Sequence, residues 1–131
     1  MNPSPVATLT IGNRNDFVPA GSLLEVDVTL FGLTTTLDSY RFDVHFTPGV
    51  LSFSGTNAGT IGNVDNVGGT AAGIARNNVG LNSGGTIVRL SFKAIGGGSS
   101  PLTIPESSVI LLDPEGNEIP FTIQSGQEFV S

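Results

Sequence analysis

The residues able to do chemistry in this chain are few. There is no cysteine, which excludes disulfides, thiolate metal sites and a thiol nucleophile. The one histidine, His45, stands two residues after Asp43 and four after Arg41. In an extended segment those three side chains share one face. Hydrolysis would require a nucleophile activated by a base and oriented by a third group. No serine stands in a strand-to-helix elbow, so His45 reads as a solvated or interface residue. Asp113, Glu115, Asn117 and Glu118 gather oxygen ligands of the kind calcium takes, but an EF-hand's flanking helices and twelfth-position Glu are missing. Asp113-Pro114-Glu115-Gly116-Asn117 is also a reverse turn, with Pro presetting φ and Gly admitting positive φ. The turn is the reading taken, and calcium at Asp113, Glu115 and Asn117 is the alternative. Asp65 with Asn63 and Asn66 poses the same choice. The remaining acids are scattered over turns and outward strand positions, with no sign of a glycosidase pair in a cleft. Sugar platforms are usually exposed aromatics, and this chain has no Trp and one Tyr, in inward phase. Its glycine runs lie between strands rather than opening helices, so no phosphate loop is present.

Composition narrows the class further. A length of 131 residues suits a single domain over 1–131 that buries roughly two-thirds of its unfolded surface. Charged residues make up 12% of the chain, against about 25% in ordinary soluble domains. Gly, Ser, Thr and Asn take their place, giving a neutral polar surface with many turns. The net charge of −6, with Lys93 the single lysine, argues against nucleic acid and anionic membranes as partners. No apolar run approaches the ~20 residues of a membrane span. The chain opens Met-Asn-Pro-Ser-Pro without a basic region or signal core. That leaves a cytoplasmic protein or an excised module, and with this surface the expectation is a module of a larger exported protein, extracellular or on the cell surface.

The elements that must position these residues are strands. In Ser39 to Leu51, Tyr40, Phe42, Val44 and Phe46 alternate with Ser39, Arg41, Asp43, His45 and Thr47. That period of two predicts a strand with one buried face, stopped at Thr47-Pro48-Gly49. Val50 to Phe53 restarts apolar chain. Val6 to Gly12, Leu23 to Leu30 and Thr86 to Ala94 alternate in the same way. Thr70 to Arg76 reads as a short strand because Gly73 breaks a helix. Leu102 to Ile104, Val109 to Leu112, Ile119 to Ile123 and Glu128 to Val130 read as further short strands. Asn13 to Asp16 reads as a turn, and Gly96 to Ser100 as a flexible loop. Gly55 to Gly69 carries too many turn formers to place a strand. With no amphipathic helix, the pattern predicts an all-β antiparallel sandwich of eight or nine strands with jelly-roll or Greek-key wiring.

Four ordered blocks resemble the cohesin modules, the receptor half of the cohesin–dockerin pair, over nearly the whole chain. Pro19 to Val28 is similar to the family's PGDTVTVPV entry strand. Tyr40 to Leu51 is similar to FQFDLSYDPxVL, Gly85 to Lys93 to GTLATLTFK, and Val109 to Ile119 to VxLxDxNGNEI. The middle, Gly55 to Gly69, is shorter and richer in glycine than the family shows. The resemblance implies a non-catalytic module that docks a dockerin-type helical partner on one sheet face. It implies partner contacts at Ser39, Arg41 and Asp43, joined by Arg76, Asn77, Asn78 and Gly80. Arg41 stands where type I modules often carry an acid, which implies an altered specificity. The residues themselves lead to the expectation of no cofactor, with calcium the alternative at the Asp113–Asn117 turn. The alternative function is a structural module of an exported surface protein or filament that self-associates through a sheet edge left open by the abbreviated middle.

Overall fold

A computed structural model describes residues 7–57, 59–82 and 84–131. Among these, the alternating segments form strands where the period of two predicts them: β1 (Ala7–Ile11), β3 (Leu23–Phe31), β4 (Ser39–His45) and β8 (Gly85–Ala94). The apolar restart after Gly49 forms β5 (Leu51–Thr56), and the segment around Gly73 forms β7 (Thr70–Arg76). Shorter strands complete the set: β2 (Asn13–Val18), β6 (Asn63–Asp65), β9 (Gly98–Leu102), β10 (Ile110–Leu112), β11 (Phe121–Gln124) and β12 (Gly126–Val130). The only helical element among the described residues is a 3-10 turn at Glu106–Ser108.

The strands form a five-stranded sheet ordered β11-β1-β3-β8-β5, a four-stranded sheet β10-β4-β7-β6 and a three-stranded sheet β2-β12-β9. The last two meet where His45 and Thr103 pair across β4 and the end of β9. One apolar cluster lies between the layers. Leu9, Val26, Val28, Leu30, Leu90 and Phe92 enter it from the five-stranded sheet, and Tyr40, Phe42, Val44 and Ile74 from the four-stranded one. Phe92 is its hub, with Phe46 and Phe53 packed edge-on at ring separations of 5.3 and 5.2 Å. Edge-to-face contact sets the positive rim of one ring against the negative face of the other.

Several segments differ from the expectation; the strand read over Leu102 to Ile104 is the end of β9, and the one read over Ile119 to Ile123 begins at Phe121. Asn13 to Asp16 is not a turn; it belongs to β2, which pairs parallel with β12 at the far end of the chain. Gly96 to Ser100 is not wholly a loop, because β9 begins at Gly98 and pairs antiparallel with β12. Its Pro101 is tolerated because β9 is an edge strand, and Ser100 is buried with its hydroxyl accepting the Thr47 N–H at 2.9 Å. In the uncertain middle, Asn63–Asp65 forms β6 against β7. These gains raise the strand number to twelve among the described residues, and two of the pairings, β1–β11 and β2–β12, are parallel.

Those two parallel pairs explain how the chain ends close the sandwich. β1 and β11 run side by side in the five-stranded sheet, then both cross over and continue side by side as β2 and β12. At the crossing the backbones nearly touch, and a Cβ on Gly126 would run into the carbonyl oxygens of Gly12 and Ile11. Gly126→Ala is therefore expected to lower stability by about 1–3 kcal/mol or more through overpacking. Gly55→Ala, with nothing within 4 Å of its Cβ, should be neutral or slightly stabilising. Thermal unfolding followed by circular dichroism checks both; equal melting temperatures for the two variants would contradict the crossing as described.

Candidate functional site

β4 runs through the four-stranded sheet with Tyr40, Phe42 and Val44 buried and Ser39, Arg41, Asp43 and His45 on the outer face. On one edge β10 sets Ile110 beside Arg41 and Leu112 beside Ser39. On the other, β7 sets Ala75 beside Arg41 and Thr70 beside His45.

Asp43 is held in three ways. On the β10 side the ladder has a gap, because Thr103 pairs with His45, Ile110 pairs with Arg41, and the chain between them leaves in the 3-10 turn. Ser108 fills that gap: the Asp43 N–H donates to its hydroxyl oxygen at 3.0 Å, and the hydroxyl donates to Pro105 O at 2.6 Å. On the β7 side the register shifts between Phe42 and Val44, and Gly73 adopts φ +71. A bulge of this kind takes an N–H out of the ladder. The Gly73 N–H donates instead to Asp43 Oδ1 at 2.9 Å. The same oxygen lies 3.2 Å from Arg41 Nη2, while Arg41 Nη1 donates to the Ser108 carbonyl at 2.7 Å. Arg41 and Asp43 thus hold the sheet together as well as facing outward.

The remaining candidates gather at the Ser39 end. Arg76 pairs with Tyr40 in register, and the loop after β7 is pinned by the Val79 N–H donating to Asp38 O at 2.8 Å. Leu37 and Leu81 exchange backbone hydrogen bonds at 2.8 and 3.1 Å. The loop reverses through Asn78 at φ 58 and Gly80 at φ 68, a conformation that Asn and Gly tolerate best. Arg76, Asn77, Asn78 and Gly80 are exposed. Among the described residues no hydrogen bond engages the side chains of Asn77 or Asn78. Gly59 and Thr60, from the segment before β6, join Ala75, Arg76 and Asn77 around a shallow recess. Sequence reasoning missed these two and the exposed Ile110, because the two-residue bridge of Thr60 to Ala75 leaves no periodic signal.

Arg76 also acts on Tyr40. Burial raises the phenol above its ordinary pKa of 10.0, and the Arg76 guanidinium pulls in the opposite sense. On the opposite outer face, Arg89 is engaged by Asp27 at 2.8 Å and Glu25 at 3.5 Å.

The acidic turns are occupied by their own backbones. Asp113 Oδ1 accepts the N–H groups of Glu115 and Asn117, both at 2.9 Å. Asp65 Oδ1 accepts those of Val67 and Gly68 at 3.1 and 2.8 Å. Among the described residues, no three His, Asp or Glu side chains are grouped as a metal site requires.

No family model matches the chain, and no curated protein matches it in sequence. Solved structures do. CaCohA2 of Clostridium acetobutylicum, in its complex with CaDoc0917, superposes with a TM-score of 0.83 at 16% identity, covering 96% of this chain and 100% of its own. The third cohesin of ScaC from Acetivibrio cellulolyticus, in complex with the ScaB dockerin, gives 0.79 at 18% identity, over 95% and 99%. A non-cellulosomal cohesin from the hyperthermophilic archaeon Archaeoglobus fulgidus gives 0.75 at 18% identity, over 96% and 91%. The chain has the cohesin fold. At such identities the likeness is one of architecture, and it confirms the fold that the four sequence blocks implied.

Two outcomes test the geometry of this cohesin-type face. Ser108→Ala removes the acceptor of the Asp43 N–H and should cost about 1–3 kcal/mol. Asp43→Asn, which keeps an acceptor for Gly73, should cost less than Asp43→Ala; urea unfolding orders the three, and a fully stable Ser108→Ala would contradict the gap-filling role. Tyr40 is the only tyrosine, so ultraviolet absorbance follows it alone. Its proton is held more tightly in the folded state, so its contribution to stability is full below about pH 10 and is lost as pH rises through the folded value. Tyr40→Phe should remove that alkaline loss. An ordinary titration of Tyr40 in the folded protein would refute the assignment.

Proposed function

We propose that the chain is a single non-catalytic, cohesin-like module of an exported protein, displayed outside the cell, that docks a dockerin-type helical partner on the face formed by β10, β4, β7 and β6. The observation that carries this reading is the open polar cluster at one end of that face. Ser39, Asn77 and Asn78 stand there beside the half-apolar strip of Ile110 and Ala75, and Arg76 is exposed at the end of the sheet in register with Tyr40. Neighbours of the same fold, CaCohA2 and the ScaC cohesin, were captured in complexes with mutated forms of CaDoc0917 and the ScaB dockerin. The non-cellulosomal archaeal neighbour supports a setting wider than the cellulosome.

Charge sets the partner's character. Arg76 is exposed and Arg41 is half-exposed at 41%, so the helix laid on this end should present acidic side chains. Asp43 contributes by fixing Arg41 and the bulge rather than by reaching outward. Calorimetry against a panel of dockerins tests the reading. Arg76→Glu should weaken the bound dockerin by about tenfold or more, since opposite charge becomes like charge at the contact, with an unchanged melting temperature. A panel in which none binds, or a dockerin that binds Arg76→Glu as tightly as the parent, would overturn it.

A further inference from the structure

The flank of the sandwich between β10 and β11 carries a second surface. After the Asp113–Asn117 turn the chain first runs back along β10, with Leu112 bridging Glu118 and the Ile119 N–H donating to Leu111 O at 2.8 Å. At Pro120 it leaves. Proline has no N–H to continue that ladder, and its carbonyl instead accepts the Ala7 N–H at 3.0 Å in the other sheet. The two strands diverge and open a wedge between the layers. Two adjoining depressions that share Glu106 and Phe121 line this wedge along the length of β11. Ile104, Val109 and Ile119 are buried along it, and Phe121 and Ile123 are half-buried.

β11 is the outermost strand of its sheet, so one edge of its backbone has no strand beside it. The opposite edge of the same sheet is treated differently. There Asn66 covers β5, accepting the Phe53 N–H at 2.7 Å and donating to Phe53 O at 3.4 Å. A covered edge resists strand addition and an open one invites it. The groove along β11 is also charged at its rim, where Glu106 and Glu118 are exposed and form no ion pair among the described residues.

We propose that this groove takes an extended segment of a partner chain by strand addition to β11, a segment with apolar residues at alternate positions and Lys or Arg between them. Alternation follows from the pleat: every second side chain of an added strand points into the wedge. The basic residues answer Glu106 and Glu118. A second copy of this chain is the poorer occupant, because each copy carries a net charge of −6 and would bring its own glutamates to the same rim. The proposal stands apart from the dockerin reading, since it uses the β11 edge and shares only Ile110 with the β10-β4-β7-β6 face.

Two short synthetic peptides serve as probes, one alternating Val with Lys and one alternating Val with Glu, titrated into isotope-labelled protein and followed by amide shifts. The Val/Lys peptide should perturb Glu106 and Phe121–Gln124 and slow hydrogen exchange on β11. The double variant E106K/E118K should weaken that peptide by about tenfold and gain binding of the Val/Glu peptide. Arg76→Glu should leave it unchanged, which separates this outcome from the dockerin test. Equal weakening by E115K, whose side chain lies outside the groove, would reduce the effect to overall charge and overturn the proposal. Concentration-dependent dimers with the same β11 shifts in the absence of peptide would overturn it in favour of a second copy.

Discussion

A strand buried within a sheet must find a partner for nearly every backbone N–H and C=O it carries, and β4 meets that demand with unusual neighbours. One edge is shared between Thr103 and β10, which leave a gap at Asp43, and the other faces a bulge in β7. Side chains close both breaks. Ser108 replaces the missing rung on one side, and the Asp43 carboxylate takes the Gly73 N–H on the other. An unmet buried donor costs about 1–3 kcal/mol, so two of them would offset much of a domain's marginal stability. The inward row of Tyr40, Phe42 and Val44 keeps its place in the core because these outward contacts hold the backbone in register.

This division of labour shapes the outer face. Arg41 and Asp43 form a connected network with Ser108 and Gly73 that pins the centre of the sheet. The loop from Arg76 to Gly80 is anchored by backbone bonds to Asp38 and Leu37, which leaves the side chains of Arg76, Asn77 and Asn78 open to solvent. A rigid centre and an exposed, backbone-anchored rim leave little backbone ordering to be done on docking. The opposite outer face, where Arg89 is matched by Asp27 and Glu25 within one sheet, is largely self-satisfied.

The glycine-rich middle and the chain ends follow a related logic. Between β5 and β7, order comes from polar side chains bonded to backbone: Asn66 to Phe53, Asn57 to Arg89, and Asp65 to its own turn. The three-residue β6 is a product of those contacts as much as of strand pairing. At the termini, two parallel pairs cross between sheets at Gly12 and Gly126, and the close approach of backbone to backbone leaves no room for a Cβ on Gly126. Edges, corners and turns in this sandwich are made by small polar residues and glycines, which accounts for the low charge of the chain.

The alternating segments were legible in the sequence because burial of one strand face imposes a period of two wherever the strand is long enough to display it. β1, β3, β4 and β8 were readable on that ground, and so was the all-β class; β7 was readable only because Gly73 disfavours a helix. The four motif blocks carried the cohesin likeness that the superpositions bear out as fold. β2, β6 and β9 were not readable. Asn13 to Asp16 and Gly96 to Ser100 have turn-forming compositions, and they are extended only because β12, distant in sequence, lies beside them. The outward row of β4 was placed correctly, but its roles were not visible. That Asp43 caps a bulge and Ser108 fills a gap depends on which N–H groups the neighbouring strands leave unpaired, and periodicity says nothing about that. The sequence alone determined which side of each long strand is buried, through the local alternation of apolar residues. Only the tertiary structure decided which outward residues are tied to the backbone and which are free, because that depends on long-range pairing.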